Sequence, residues 1–221
     1  MIFIIDFDGT LSPDDTVDKL LEHHADPAWE TLESDWLAGR ISALECMREQ
    51  IALVRADRTS LEKFFHGIAI DPAFRAFWLY VRNFAEVAIV SDGLDHAIKT
   101  ALQGAKLHDL PVFANQLNFA SPNSLSLSFP HRNNDCRGGN GVCKCAVASQ
   151  LAETHGGPVI LVGDGKSDAC LAGSADTVFA KGSLIKHCQE RGIPYTSFSD
   201  FSDVHNVVKT WAVENAYAAL A

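Results

Sequence analysis

Two carboxylates with one residue between them, Asp6 and Asp8, close the apolar run Ile2-Phe3-Ile4-Ile5 at the start of the chain. Like charges this close repel, and a fold holds them together only when a cation or a proton lies between them. Two further apolar runs end in a similar way. Val87–Val90 leads into Ser91-Asp92-Gly93, and Val159–Val162 leads into Gly163-Asp164-Gly165-Lys166-Ser167-Asp168. If the three runs are neighbouring parallel strands, Asp6, Asp8, Asp164 and Asp168 meet the Ser91 hydroxyl in one crevice. That crevice lies at the carboxyl edge of the sheet, where open α/β folds bind ligands. An oxygen-only cluster suits a hard cation, and Mg²⁺ takes one or two carboxylates together with substrate phosphate oxygens. Any one of these aspartates alone reads as a turn or a helix cap. The whole set reads as a place for chemistry.

The elements that must position these residues follow from patterning. Short apolar runs alternating with helical stretches predict a parallel sheet with helices on both faces, a Rossmann-like α/β fold. Val112–Asn115 reads as a fourth strand. Gln116–Phe119 and Leu125–Phe129, around Ala-Ser-Pro-Asn-Ser, read as a hairpin near 116–129. Residues 14–70 carry no strand-like run. They show helical patterns over about 15–24, 27–38, 42–54 and 59–66, with Asp14 or Asp15, Ser42 and Thr59 as caps and Pro27 in a first turn. The expected organisation is a catalytic core, 1–13 and 71–221, with a small all-helical cap, 14–70, inserted after the first strand.

Composition narrows the class. At 221 residues, 47% hydrophobic and 21% charged, the chain can bury a sizeable core. A net charge of −10 argues against a nucleic-acid partner, which would meet a basic face. No stretch approaches the ~20 apolar residues of a membrane span. With no basic leader ahead of the first strand, the six cysteines read as thiols of a cytoplasmic protein rather than as a disulfide framework. The expected assembly is a monomer or homodimer.

Asp6-Phe7-Asp8-Gly9-Thr10-Leu11 resembles the first motif of the haloacid dehalogenase superfamily, most of whose members are phosphatases. Ser91 resembles the second motif, Lys144 in Gly141-Val142-Cys143-Lys144-Cys145 the third, and Gly163–Asp168 the fourth. The helical insertion resembles the cap of the phosphoserine phosphatase-like branch. This resemblance implies a Mg²⁺-dependent phosphomonoester phosphatase whose partner is a small phosphorylated metabolite. Asp6 would be the nucleophile that forms an aspartyl-phosphate, and Asp8 the proton donor and acceptor. Ser91 and Lys144 would steady the phosphoryl charge. The Asp6 carboxylate, the Asp8 carbonyl and Asp164 would hold the metal, with Asp168 in or beside that set. Gly9, Thr10, Asp92 and Gly93 would line the phosphate site. Many relatives have glycine where Asp92 stands, so this extra acid is either turned away or reads a polar group of the substrate.

Further matches are similar to the 2-hydroxy-3-keto-5-methylthiopentenyl-1-phosphate phosphatases of methionine salvage. They include Pro27-Ala28-Trp29-Glu30, Gly39-Arg40-Ile41-Ser42, Phe129-Pro130-His131 and Val178-Phe179-Ala180-Lys181. The alternative substrate is phosphoserine or a related amino-alcohol phosphate. Matching the cap to phosphoserine phosphatases puts Asp15 against a substrate amine and Arg48 against its carboxylate. An Arg48 pointing inward favours a carboxylate-bearing substrate; on the surface it does not. Arg40 and Glu45 are weaker candidates for the lining. His131, Cys136, Cys143 and Cys145 form a candidate metal group, but their spacing is not a standard zinc pattern. They read as reduced thiols beside the active-site loop, where oxidation could disturb Lys144. A reading from another class is a phosphometabolite-binding module that has lost turnover.

Overall fold

In the computed structural model, which describes residues 1–121, 124–136 and 139–218, the first apolar run is strand β1 (Ile2–Ile5), buried along its whole length. Its period-two alternation feeds two cores. Phe3 and Ile5 pack on one face of the sheet, Ile2 and Ile4 on the other. β2 (Glu86–Leu94) and β5 (Val159–Gly163) flank β1 in parallel, with Ile5 level with Ile89 on one side and Val162 on the other. The carboxyl ends of the three acid-tipped runs are therefore side by side, as the patterning predicts.

β3 (Val112–Ser121), β4 (Ser124–Ser128), β6 (Thr177–Ala180) and β7 (Thr196–Ser197) complete a seven-stranded sheet in the order β4-β3-β2-β1-β5-β6-β7. The strand expected at 112–115 and the first hairpin arm are one element. β3 pairs in parallel with β2 near its start and antiparallel with β4 from Gln116 onward. Within the hairpin connection, Pro122 and Asn123 lie outside the described residues.

Five helices separate β1 from β2: α1 (Thr16–His24), α2 (Trp29–Leu37), α3 (Ala43–Ala52), α4 (Arg58–His66) and α5 (Phe74–Val81). The first four match the expected stretches to within about two residues, the usual uncertainty of a frayed helix end. Asp15 caps α1 by accepting from the Val17 and Asp18 amides, and Ser42 caps α3 by accepting from Glu45. Thr59 does not cap α4. Asp57 does, accepting from Ser60 N at 2.7 Å, so the helix begins one residue before Thr59. Leu20, Leu21, Ile51, Leu61 and Phe65 of these helices share a third core with Leu117, Leu125 and Leu127 of the hairpin. The hairpin is thus the platform on which the helices rest.

The remaining helices cover the sheet. α6 (Asp95–Gly104), α5 and α10 (Phe201–Ala218) pack on the Phe3 face, where Phe77 meets Phe3 edge-on at 5.3 Å. α7 (Lys144–His155), α8 (Ala169–Ala172) and α9 (Gly182–Arg191) pack on the Ile4 face. None of the described helices is long and apolar enough to cross a membrane.

Candidate active site

Directly after β1 the chain makes an irregular turn over Phe7–Leu11, closed by Ser12 N donating to Phe7 O at 2.8 Å. Gly9 turns it with φ +70°, a conformation that side chains with a Cβ adopt at a cost. A Cβ at Gly9 would also lie 2.5 Å from Asp164 Oδ2, so the glycine is required twice. The turn sends the two carboxylates to different partners. Asp6 Oδ1 accepts from its neighbour's amide, Phe7 N, at 2.8 Å, and Asp6 Oδ2 meets Lys144 Nζ at 2.8 Å. Asp8 Oδ1 accepts from Thr16 N, in the first turn of α1, at 2.8 Å. Its other oxygen lies against Gly93, where a Cβ would come within 2.5 Å of it.

Lys144 is the first residue of α7 and is 3% exposed. Its ammonium bridges Asp6 and Asp168, with Asp168 Oδ1 at 2.6 Å. Asp168 is fully buried, and its second oxygen accepts from the Asp164 and Gly165 amides at 3.1 and 3.0 Å. Both of its oxygens are engaged, and it holds the Gly163–Gly165 turn as well as the lysine. Asp164 accepts from Thr10 Oγ1 at 2.8 Å, while Lys181 Nζ donates to the Thr10 carbonyl at 3.1 Å. Gly9 and Thr10 therefore shape and orient Asp164 and do not line the main cavity. The sequence reading left Lys181 without a role in this arrangement, and a lone lysine after a short strand gives no signal of one. Ser91, 1% exposed at the β2 end, accepts from Gly93 N at 2.9 Å. Its hydroxyl proton is thereby left free to be donated elsewhere.

Asp92 lies at the rim of this centre with part of its carboxylate bound to the backbone. Its Oδ1 accepts from Val142 N at 2.8 Å, and its carbonyl accepts from Asn115 Nδ2 at 2.5 Å. Through these bonds Asp92 moors the loop that delivers Lys144 while keeping a place in the cavity wall. Gly141 lets that loop pass against Asn115 and Phe129, where a Cβ would collide with both side chains.

The electrostatics follow from crowding. Burial, then the charge of Asp168, pushes the Asp6 carboxyl well above its ordinary range despite the ammonium beside it. Burial and the Asp15 charge push Asp8 up to about 7. Asp164 is raised by burial. Burial pulls Lys144 down, but Asp168 and Asp6 outweigh it and keep the ammonium charged. One ammonium thus serves three acids whose oxygens lie within 4.8 Å of one another, Asp6, Asp164 and Asp168. Such a centre is short of positive charge, and its all-oxygen donor set fits a hard divalent cation.

Above the acids lies a cavity of about 410 Å³, bounded by the strand ends below and by α1, α2 and α3 above. Asp6, Asp8, Ser91, Asp92, Gly93 and Asp164 line its floor. Val17, Trp36, Leu44, Met47, Gln50 and Phe129 line its upper walls, with Asp15, Asp18 and Glu33 among them. Among these described lining residues the basic side chain is Lys166. Arg48 is not brought into the cavity. It is exposed on α3, with its guanidinium 5.3 Å from the Phe129 ring centre, on a residue whose own ring forms part of the wall. Arg40 is held by Asp35 at 2.5 Å, and Glu45 is exposed in the first turn of α3; neither lines the cavity. Asp15 lines it but is committed to capping α1.

Residues 1–192 match the model of a family described as "Putative Phosphatase". The chain belongs to this family. It is 31% identical, over 92% of its length and 93% of the relative's, to a 2-hydroxy-3-keto-5-methylthiopentenyl-1-phosphate phosphatase of Geobacillus thermodenitrificans. It is 29% identical, over 96% and 97%, to a protein of that name from Geobacillus kaustophilus. Among solved structures, a substrate-bound phosphoserine phosphatase superposes with a TM-score of 0.70 at 18% identity, covering 93% of this chain and 97% of the other. The phosphoserine phosphatase of T. onnurineus gives 0.66 at 17% identity, covering 94% of each. At these identities the structural likeness speaks for the fold alone, a mostly parallel α/β sheet covered by helices. The resemblance carried by the acid-tipped motifs agrees with it.

Proposed function

We propose that the protein is a phosphomonoester phosphatase that works through an aspartyl-phosphate on Asp6. The observation that carries this reading is the pairing at the end of β1. One acid is clamped to a buried ammonium, and the other, two residues on, has a value near 7 suited to giving and taking a proton. An Asp6 oxygen attacks phosphorus and the ester P–O bond breaks. Asp8 passes its proton to the departing oxygen. Water then attacks the aspartyl-phosphate, Asp8 takes the proton back, and inorganic phosphate leaves. Lys144 holds the Asp6 carboxylate in place, and Ser91 donates its free hydroxyl proton to a phosphoryl oxygen. Catalysis of this kind is mostly positioning and electrostatic stabilisation. Asp6, Asp164 and the Asp8 carbonyl would hold Mg²⁺, with Asp168 bracing them from behind; when bound, the ion lets an anionic nucleophile approach an anionic ester.

Residues 14–70 act in this reading as the cap that selects the leaving group, over a core of 1–13 and 71–221. The substrate we favour is 2-hydroxy-3-keto-5-methylthiopentenyl-1-phosphate, in a cytoplasmic salvage route. Two features support it: the names of the relatives, and upper walls in which Trp36, Leu44, Met47 and Phe129 meet acids rather than an arginine. A thioether tail suits that lining, whereas the carboxylate of phosphoserine would face Asp15, Asp18 and Glu33. The test is phosphate release from both esters with Mg²⁺ and with EDTA, using Asp6→Asn as the inert reference. The methylthio ester should be preferred, and EDTA should abolish turnover. A wild type as inert as Asp6→Asn across esters and divalent ions would overturn the reading.

A further inference from the structure

Four of the six cysteines, Cys136, Cys143, Cys145 and Cys170, line a second cavity of about 410 Å³. They come from three separate segments: the loop after β4, the start of α7, and α8. The group differs from the one suggested by sequence order. His131 does not line this cavity. Its ring stands edge-on to Phe113 at 5.2 Å, and its carbonyl accepts from Cys143 N at 2.9 Å. Cys170, 25 residues beyond Cys145, takes the fourth place.

We propose that these four cysteines are a thiolate site for a borderline-soft divalent cation, zinc above all. Four sulfurs around one ion is the donor set of closed structural zinc sites, with Zn–S near ~2.3 Å. It is also the complement of the carboxylate centre, so the two sites would sort hard and soft ions between them. Among the described residues only the carboxylate trio already has its ligand atoms within 4.8 Å of one another. The four thiols share one cavity without yet standing at ligand spacing. Each ligand gives up its proton to solvent as the ion enters. Burial and neighbouring sulfurs raise the Cys143 and Cys145 thiols, Cys145 to about 11, so the site holds protonated thiols until a cation enters.

The place of the site gives it a purpose. Cys143 and Cys145 flank Lys144, and Cys170 is two residues from Asp168, its 2.6 Å partner. An ion bound here ties together, from outside, the two segments whose side chains meet under Asp6. The site stands whether or not esters are hydrolysed at Asp6.

The experiment is a Co²⁺ titration of the full chain with excess Mg²⁺ occupying the carboxylate centre. One equivalent of Co²⁺ should raise an intense sulfur-to-cobalt charge-transfer band in the near ultraviolet, and Zn²⁺ should bleach it. Zn²⁺ should also protect four thiols from dithionitrobenzoate. Asp6→Asn should keep the band. Cys170→Ser should weaken binding by at least the ~10–100-fold that losing a mere supporting partner costs a metal site. Cys170→His, which restores a ligand, should regain binding with a weaker band, and it serves if the serine variant fails to fold. A wild type with no charge-transfer band, and with thiols equally reactive with and without Zn²⁺, would overturn the proposal.

Discussion

Asp8 shares its hydrogen bonds and its space with three elements, and its behaviour should show all three. Because its value is raised to about 7, folding favours its protonated form; that stabilisation is full below the ordinary value of 3.8 and is lost as pH rises through about 7. Metal-free Asp8→Asn, which can still accept from Thr16 N, should therefore melt above the wild type at about pH 8, and the gap should close below about pH 5. A thermal scan at the two pH values checks the sign. In turnover the same variant should lose about 10²–10⁴-fold in kcat, and the alkaline fall in kcat/KM that Asp8 causes should flatten. Gly93 offers a second handle. An alanine Cβ there would stand 2.5 Å from Asp8 Oδ2 and 3.2 Å from Ser91 Oγ, forcing the proton carrier aside. Gly93→Ala should keep the fold and drop kcat by about 10²-fold, as an ångström of misplacement does; steady-state kinetics would reveal a smaller change in KM.

Helices and strands set what each acid can do. Asp15 begins α1 with two amide hydrogen bonds, 3.0 Å each, and its charge helps raise Asp8. Asp15→Ala should cost ~1 kcal/mol in urea unfolding, and Asp15→Ser should recover most of it. With no substrate amine to read, Asp15→Ser should leave KM nearly unchanged while moving the alkaline limb of the rate profile to lower pH. Such local features show how far the sequence could be read. Three acid-tipped runs were legible because buried parallel strands are short, apolar and β-branched, whatever lies beside them. The α1 and α3 caps were legible because capping is a local bond. At α4 the same rule points to Thr59, but Asp57, two residues earlier, holds the cap, because the backbone path decides which side chain reaches the first amides. β3 read as two strands because it changes partner halfway, from β2 to β4, and pairing partners leave no mark on the strand itself. The mooring of Asp92 to Val142 spans 50 residues, and the outward turn of Arg48 depends on a Phe129 ring from the hairpin. Contacts of that range are properties of the assembled fold.

Over the whole molecule, the sheet stands between two cores and the helical segment makes a third with the hairpin. Phe77 is fully buried where Phe3, Phe74 and Phe201 meet, with ring centres 5.3 to 5.9 Å away. Phe77→Ala should cost ~3–5 kcal/mol, and calorimetry should find the midpoint lowered by many degrees. The segment between Leu11 and Asp71 leaves and rejoins at one point, where Asp71 N donates to Leu11 O at 2.9 Å. Asp71 is fastened from its other side as well, accepting from Ala73 N and Phe201 N at 2.8 Å. A loop whose ends already touch can grow or shrink at little entropic penalty, since closure depends only logarithmically on length. The hydrogen bond at the neck therefore lets the segment beyond it change in length, provided that Thr16 N still reaches Asp8 and the helices still cover the hairpin. If these helices choose the leaving group, as proposed above, a different set of helices on the same neck would change the ester accepted and leave the centre around Asp6 as it is.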